Sequence, residues 1–239
     1  MKVRADVLVH QRGLAESRAR AQALILAGSV VAGDHRVEKP GQLLDEAAEL
    51  RVKEQLKYVS RGGLKLEHAL DHFRLSPRDR VCVDLGASTG GFTDVLLQRG
   101  AVRVHAVDVG RGQLHEKLRS DPRVKLYERV NARELRLEEE CGAAVADLSF
   151  ISLRLVLPAL AAALRQRDAW CVLLVKPQFE AGRAEVGKGG VVRDPAVHER
   201  VVREIEAEVR RLGFEVLGET PSPILGPAGN REFLVGARR

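Results

Sequence analysis

Two lysines and a series of strand-ending aspartates are the residues of this 239-residue chain best suited to chemistry. Lys176 ends the apolar run WCVLLVK and is followed by Pro177. Lysine is rarely buried, so one at the inner end of a central strand either snorkels outward or serves a function. Lys65 follows a glycine pair in SRGGLKLE, and Glu232 opens the final strand-like run in NREFLV. Asp84, Asp108 and Asp147 each close an apolar run, in VCVD, RVHAVD and GAAVAD. A single aspartate in such a place ordinarily caps the next helix. Its recurrence at three strand ends makes capping alone a poor explanation. Taken singly, Lys65, Lys176 and Glu232 each have an ordinary structural reading.

The elements around these residues indicate what they face. In VCVDLGASTGGFTDVLLQRG, residues 81–100, an apolar run ends in Asp84, a glycine-rich turn follows and an amphipathic helix begins. That is the form of a nucleotide-type site at the carboxyl end of a parallel strand. The dinucleotide spacing fails, because the glycines are Gly86, Gly90 and Gly91 and Ser88 stands in the middle position. The phosphate-loop spacing fails too, because no Lys-Ser/Thr pair follows the last glycine. A turn that admits a cofactor to the backbone without a pyrophosphate signature points to S-adenosylmethionine. On this reading Gly86 to Phe92, with Ser88, Gly90 and Gly91, carries the methionine part. Asp108 accepts from ribose hydroxyls, as an ionised carboxylate can. Asn131 meets the adenine edge, and Asp84 and Asp147 complete the cofactor set. The run GRAEVGKGG at 182–190 imitates a phosphate loop but has Gly189 where a hydroxyl is needed, so a basic loop beside the site is the better reading. His68 and His72 share a helix face without a third ligand, and no metal is expected.

From residue 81 onward strands and helices alternate. Strands are expected at 81–85, 103–108, 124–127, 143–147, 170–175, 214–218 and 231–236. Helices are expected at 64–73, 91–99, 112–119, 133–140, 152–165 and 195–212. Alternation of this kind gives an α/β fold with a mostly parallel sheet covered on both faces. The connection GETPSPILGPAGN holds no helix, so the last of the seven strands should run antiparallel. Residues 1–55 read differently, as helices near 4–13 and 16–27 stopped by Gly28, then a turn at Gly33-Asp34 between short strands. This small α+β module is followed by an expected linker at 56–63 and the sheet domain at 64–239.

Lys and Arg number 39 against 33 Asp and Glu, a net charge of +6 that is compatible with a polyanionic partner without proving one. Residues 1–20 hold Lys2, Arg4, Arg12, Arg18 and Arg20 against Asp6 and Glu16. The start MKVRADVLVHQRG lacks the apolar core of a secretory signal, and LVLPALAAAL at 155–164 is too short to span a bilayer. A cytoplasmic protein without a membrane role is expected. Cys82 and Cys171 lie in strand-like runs as small hydrophobes.

Several segments carry a family resemblance. RGLAESRARAQALILAGSVVAGDHRVEKPGQLL resembles the small RNA-binding fold of ribosomal protein S-four and of pseudouridine synthases. The order SRGGLKL, DLGASTGGF, ADLSF, VKPQFE and NREFLV resembles the FtsJ-like ribose 2′-O-methyltransferases. With the amino-terminal module included, residues 1–239 are similar to the TlyA family of ribosomal RNA methyltransferases, also known as hemolysins. The resemblance implies a Rossmann-like class I methyltransferase sheet and a catalytic set of Lys65, Asp147, Lys176 and Glu232. It further implies S-adenosylmethionine as cofactor and a ribose of ribosomal RNA, cytidine by family precedent, as acceptor. Lys176 is the expected base, Lys65 its neighbouring cation, and Asp147 and Glu232 the orienting carboxylates. A version in which Lys176 only positions the hydroxyl stays open. Arg4, Arg12, Arg18, Arg20, Arg61 and Lys188 are the expected RNA contacts. The compact ends favour the large ribosomal subunit, and a monomer is favoured. The competing readings are a nicotinamide-dependent oxidoreductase, which Ser88 argues against, a non-catalytic ribosome-binding protein and a membrane-active hemolysin.

Overall fold

The computed structural model describes residues 2–26, 28–52, 57–226 and 228–239. It divides into two compact units, Met1–Lys57 and Tyr58–Arg239.

The first unit contains β1 (Lys2–Arg4), α1 (Ala5–Gln11), α2 (Arg18–Leu26), β2 (Val30–Ala32), β3 (His35–Arg36), β4 (Leu43–Asp45) and β5 (Leu50–Val52). β1 pairs with β4, and β3-β2-β5 form a second antiparallel sheet. Ala5, Leu8, Val9, Ala21, Leu24 and Ile25 pack the two helices onto Val30, Val37 and Leu50. Gly28 stands at φ +73° and ends α2 as expected, since a left-handed residue there is easiest for glycine.

The second unit contains α3 (Gly62–Phe73), β6 (Val81–Leu85), α4 (Gly91–Gln98), β7 (Arg103–Asp108), α5 (Glu116–Arg119), β8 (Val124–Glu128) and β9 (Ala143–Ala146). α6 (Leu157–Ala163), β10 (Trp170–Val175), α7 (Pro177–Glu180), α8 (Pro195–Arg211), β11 (Glu215–Pro221) and β12 (Phe233–Arg238) complete it. The seven-stranded sheet has the order β11-β12-β10-β9-β6-β7-β8. β10, β9, β6, β7 and β8 are mutually parallel, while β12 runs antiparallel to both its neighbours. The seven expected strands and the reversed last one are therefore present. β9 and β10 are buried along their whole length, the pattern of strands covered on both faces. One face packs against α6 and α8 through Leu160, Val201 and Ile205. The other packs against α3 and α4 through Leu66, Leu70, Val95 and Leu96. No helix among the described residues is long and apolar enough to cross a membrane.

Three expected helices are shorter or absent. At 112–119 only α5 forms, and Gly112 at φ +68° holds the start of the segment outside helical geometry. At 133–140 there is a single 3-10 turn, Ala132–Glu134, and beyond it the carbonyls of Leu137, Glu138 and Glu140 accept from the side chains of Arg165 and Gln166. At 152–165 a 3-10 turn, Leu153–Leu155, precedes α6, which starts afresh with Pro158 in its first turn. The expected linker at 56–63 falls partly outside the described residues. From Tyr58 it packs with the second unit: Tyr58 is buried, its hydroxyl donates to Glu67, and the Val59 amide donates to Asp94.

Candidate active site

The carboxyl ends of β6, β7, β9 and β10 converge where the strand order switches from β6-β7 to β6-β9, the usual ligand position of such sheets. The glycine turn leaves β6 there. Gly86 has φ +83°, and a Cβ on it would run into the Asp147 carbonyl, whose carbon would lie 3.0 Å away. At Gly91 a Cβ would meet Ser60 Oγ and lie 2.9 Å from the Gly63 amide, so α3 and α4 can cross closely only with glycine there. The Gly86 and Ala87 amides donate to the Val107 carbonyl, at 2.9 and 3.1 Å. Asp108 holds the turn from the next strand, accepting from the Ser88 amide at 2.8 Å and the Gly110 amide at 2.7 Å. Each of its oxygens keeps acceptor capacity for a ribose hydroxyl. Asp84 lies below the turn, fully buried, accepting from the Thr93 hydroxyl at 2.7 Å. Burial pushes its carboxyl up to about 7. It lines neither cavity described next, so it braces the first turn of α4 from underneath.

Two cavities meet at this edge, of about 640 and 620 Å³, both within the ordinary range for small-molecule sites. The first is walled by Val107, Asp108, Asn131, Leu148, Phe150 and Val156. The second is walled by Ser60, Arg61, Lys65, Phe92, Lys176 and Leu225. Gly86, Ser88 and Asp147 belong to both. A ligand with a flat apolar group and ribose at one end and a small charged group at the other suits this pair of cavities, which fits S-adenosylmethionine. Asn131 is exposed on the first cavity, its Oδ1 engaged by the Arg133 amide.

The four charged residues form two pairs. Lys65 Nζ donates to Glu232 Oε2 at 2.5 Å, and Glu232 is only 1% exposed. Lys176 Nζ lies 2.6 Å from Asp147 Oδ1 and donates to Ser149 Oγ at 3.0 Å. Lys65, Asp147 and Lys176 line the second cavity, whereas Glu232 stands behind Lys65. Lys65 is thus neutralised by Glu232, so each lysine has its own carboxylate. Because β12 runs antiparallel to β10 and β11, its start lies at their carboxyl ends, which delivers Glu232 to this edge.

The expected RNA contacts are placed differently. Arg61 is exposed at the second cavity and has no carboxylate partner among the described residues. Lys188 is exposed on a turn that lines neither cavity, tied down where Asn230 Nδ2 donates to the Gly190 carbonyl at 2.9 Å. In the first unit Arg4 and Arg18 both donate to the buried Asp6, from Nε at 3.1 and 2.9 Å. Their side chains stay 47% and 51% exposed. Asp6 also accepts from Gln22 at 2.7 Å, and these donors, Arg4 first, hold its carboxyl well below the usual range. Arg12 donates to the carbonyls of Glu46 and Ala48, while the side chain of the exposed Arg20 makes no hydrogen bond or ion pair among the described residues.

Sequence reasoning missed three residues here. Ser149 binds Lys176, Phe150 is 91% exposed with φ +65°, and the buried Glu180 holds the end of their loop. The only signal was their presence within ADLSF and VKPQFE.

Residues 58–239 match the FtsJ-like methyltransferase family, and residues 3–50 match the S4 domain. The 16S/23S rRNA (cytidine-2′-O)-methyltransferase TlyA of Mycobacterium tuberculosis is 47% identical over 242 residues, covering 99% of this chain and 90% of the relative. The 23S rRNA (cytidine-2′-O)-methyltransferase TlyA of Campylobacter jejuni is 34% identical over 193 residues, 80% of this chain and 74% of the relative. A solved structure from Streptococcus thermophilus, described as a hemolysin, is 48% identical with a TM-score of 0.75, covering 100% of this chain and 88% of that one. The family match takes in the whole sheet unit and both cavities, and the chain belongs to the FtsJ-like methyltransferases, with an S4 domain at its amino end.

Proposed function

We propose that the chain transfers a methyl group from S-adenosylmethionine to the 2′-hydroxyl of a cytidine ribose in ribosomal RNA. The observation that carries this reading is the pairing of Lys176 with Asp147 and Ser149 where the two cavities meet. The cofactor supplies an activated methyl on a sulfonium, so the protein's task is alignment and the handling of one proton. Asp108 and Asn131 would hold the nucleoside end, and the bare backbone of Gly86 and the glycine turn the amino-acid end. Ser60, Arg61 and Lys65 line the side from which an acceptor can enter. Lys176, held from behind by Asp147, accepts from the incoming hydroxyl and so aims the oxygen lone pair at the methyl. A hydroxyl is a weak nucleophile until its proton is drawn off. Lys176, acting in its neutral form, is the group placed to take that proton. Lys65 and Glu232 keep the acceptor wall in place.

The relatives' printed substrates support ribosomal RNA, both subunits in one case and 23S in the other. The S4 domain supports binding to structured RNA, with Arg4, Arg18, Arg20, Arg61 and Lys188 as contacts and Arg12 in a structural part. The reading takes the chain as a monomer, and the ribosomal substrate supports action in the cytoplasm. The test is incubation with separated ribosomal subunits and methyl-labelled S-adenosylmethionine, followed by nucleoside mapping. Labelled 2′-O-methylcytidine is expected, in the large subunit at least. Label on a base refutes the reading.

A further inference from the structure

The five residues after β10, Lys176 to Glu180, touch the loop after β9 in matching order. Lys176 meets Asp147 and Ser149. Phe179 meets Phe150, ring centroids 5.2 Å apart. Glu180 accepts from the Ser152 hydroxyl at 2.6 Å through Oε2 and from the Leu153 amide at 2.7 Å through Oε1. The template segment is itself fixed by the short turn α7, whose Phe179 and Ala181 amides donate to Lys176 and Pro177. The loop it holds is anchored at its start by the Asp147 amide on the Leu85 carbonyl. Between the anchors Phe150 is exposed in a left-handed conformation that non-glycine residues rarely adopt.

We propose that Lys176–Glu180 is a template for the 147–153 loop, with Glu180 the positioning residue that fixes this loop as the wall of the first cavity and as the support of Lys176 through Ser149. Glu180 lines neither cavity, so it acts through the loop and touches no reacting atom. Its nearest cation is Arg154, whose Nε is 3.8 Å away and which is shared with Glu204. A buried carboxylate is costly unless its hydrogen bonds are made. Here both oxygens are engaged by groups of the loop. Without Glu180 the Leu153 amide loses its acceptor, and the loop's far end is released while Lys176 still holds its near end. The catalytic consequence rests on the methyltransferase reading; the template itself does not.

The test compares Glu180→Ala and Glu180→Gln in the full chain by two readouts: hydrogen exchange over residues 58–239, and methyl transfer to ribosomal subunits. Glu180→Ala should speed exchange in 149–153 at least about tenfold while α8 and β10 stay protected. It should lower kcat by about 10²-fold, the scale of a 1 Å misplacement, with KM for the subunits changed far less. Glutamine can accept from the Leu153 amide through its carbonyl and donate to Ser152 Oγ through its NH2, so it should restore both readouts. Faster exchange throughout the unit would make Glu180 a general stability residue and overturn the proposal. So would a glutamine variant as poor as alanine, or an alanine variant with unchanged kcat. If the wild type transfers no methyl group, the methyltransferase reading fails, and the exchange experiment still decides the template.

Discussion

The buried pair of Lys65 and Glu232 allows stability and catalysis to be separated. Lys65 and Glu232 are 7% and 1% exposed, and their charged atoms are 2.5 Å apart. Removing either partner leaves the other charge with no counter-ion in a low-dielectric site, which costs roughly 3–5 kcal/mol. Replacing both by apolar residues of similar volume is neutral or stabilising by about 1–4 kcal/mol in comparable cases. Lys65→Met and Glu232→Leu should therefore each lose about 3–5 kcal/mol, while the double variant returns close to the wild type. The coupling between the two sites is then about as large as either single loss. The assay is urea unfolding followed through Trp170, the single tryptophan, buried in β10. All three variants should lose methyl transfer by at least ~10²-fold, because Lys65 walls the cavity proposed to admit the acceptor. A double variant as unstable as the sum of the singles would refute the buried pairing. A double variant that is stable and fully active would refute a part for Lys65 at the site.

Two further outcomes can be checked. Burial raises Asp84 to about 7; a carboxyl raised on folding contributes stability below its unfolded value, near ~3.9, that is lost as pH climbs through 7. Urea unfolding at pH 5 and pH 8 should show the wild type declining relative to Asp84→Asn, and parallel curves would contradict the buried placement. Asp6 is the opposite case: its lowered carboxyl contributes stability present above the usual aspartate range and lost as pH falls below it. Asp6→Ala should remove that acid dependence and, by releasing Arg4 and Arg18, weaken binding to ribosomal subunits roughly tenfold, with cofactor affinity unchanged by calorimetry.

Much of this was legible in residue types. Apolar runs of five or six residues, each ending in a polar or charged residue, located the parallel strands because strands buried on both faces admit little else. The glycines at 86 and 91 are required by contacts a Cβ would destroy, so their spacing was informative before any contact was known. What failed was the helices around β8 and β9. Residues 133–140 have helix-forming composition, yet only Leu135 among them is buried, too little packing to hold a helix. Arg165 and Gln166, distant in sequence, hold the carbonyls of Leu137, Glu138 and Glu140 in the irregular segment that forms instead. The partition of the arginines was equally hidden. Charge alone made Arg4, Arg12 and Arg18 look alike, and only the fold shows two of them sharing Asp6 and the third holding main-chain carbonyls.

The place of β12 has a bearing on how the molecule is made. It is the last strand in sequence, yet it lies between β10 and β11, and β11 pairs with no other strand. During synthesis β11 emerges first and has no edge to join. The sheet can close only after the residues that follow Glu232 have left the ribosome. Until then Lys65 lacks its counter-charge and the acceptor wall is open. A nascent chain synthesised only as far as β11 is therefore incomplete at the site, and completion waits on β12.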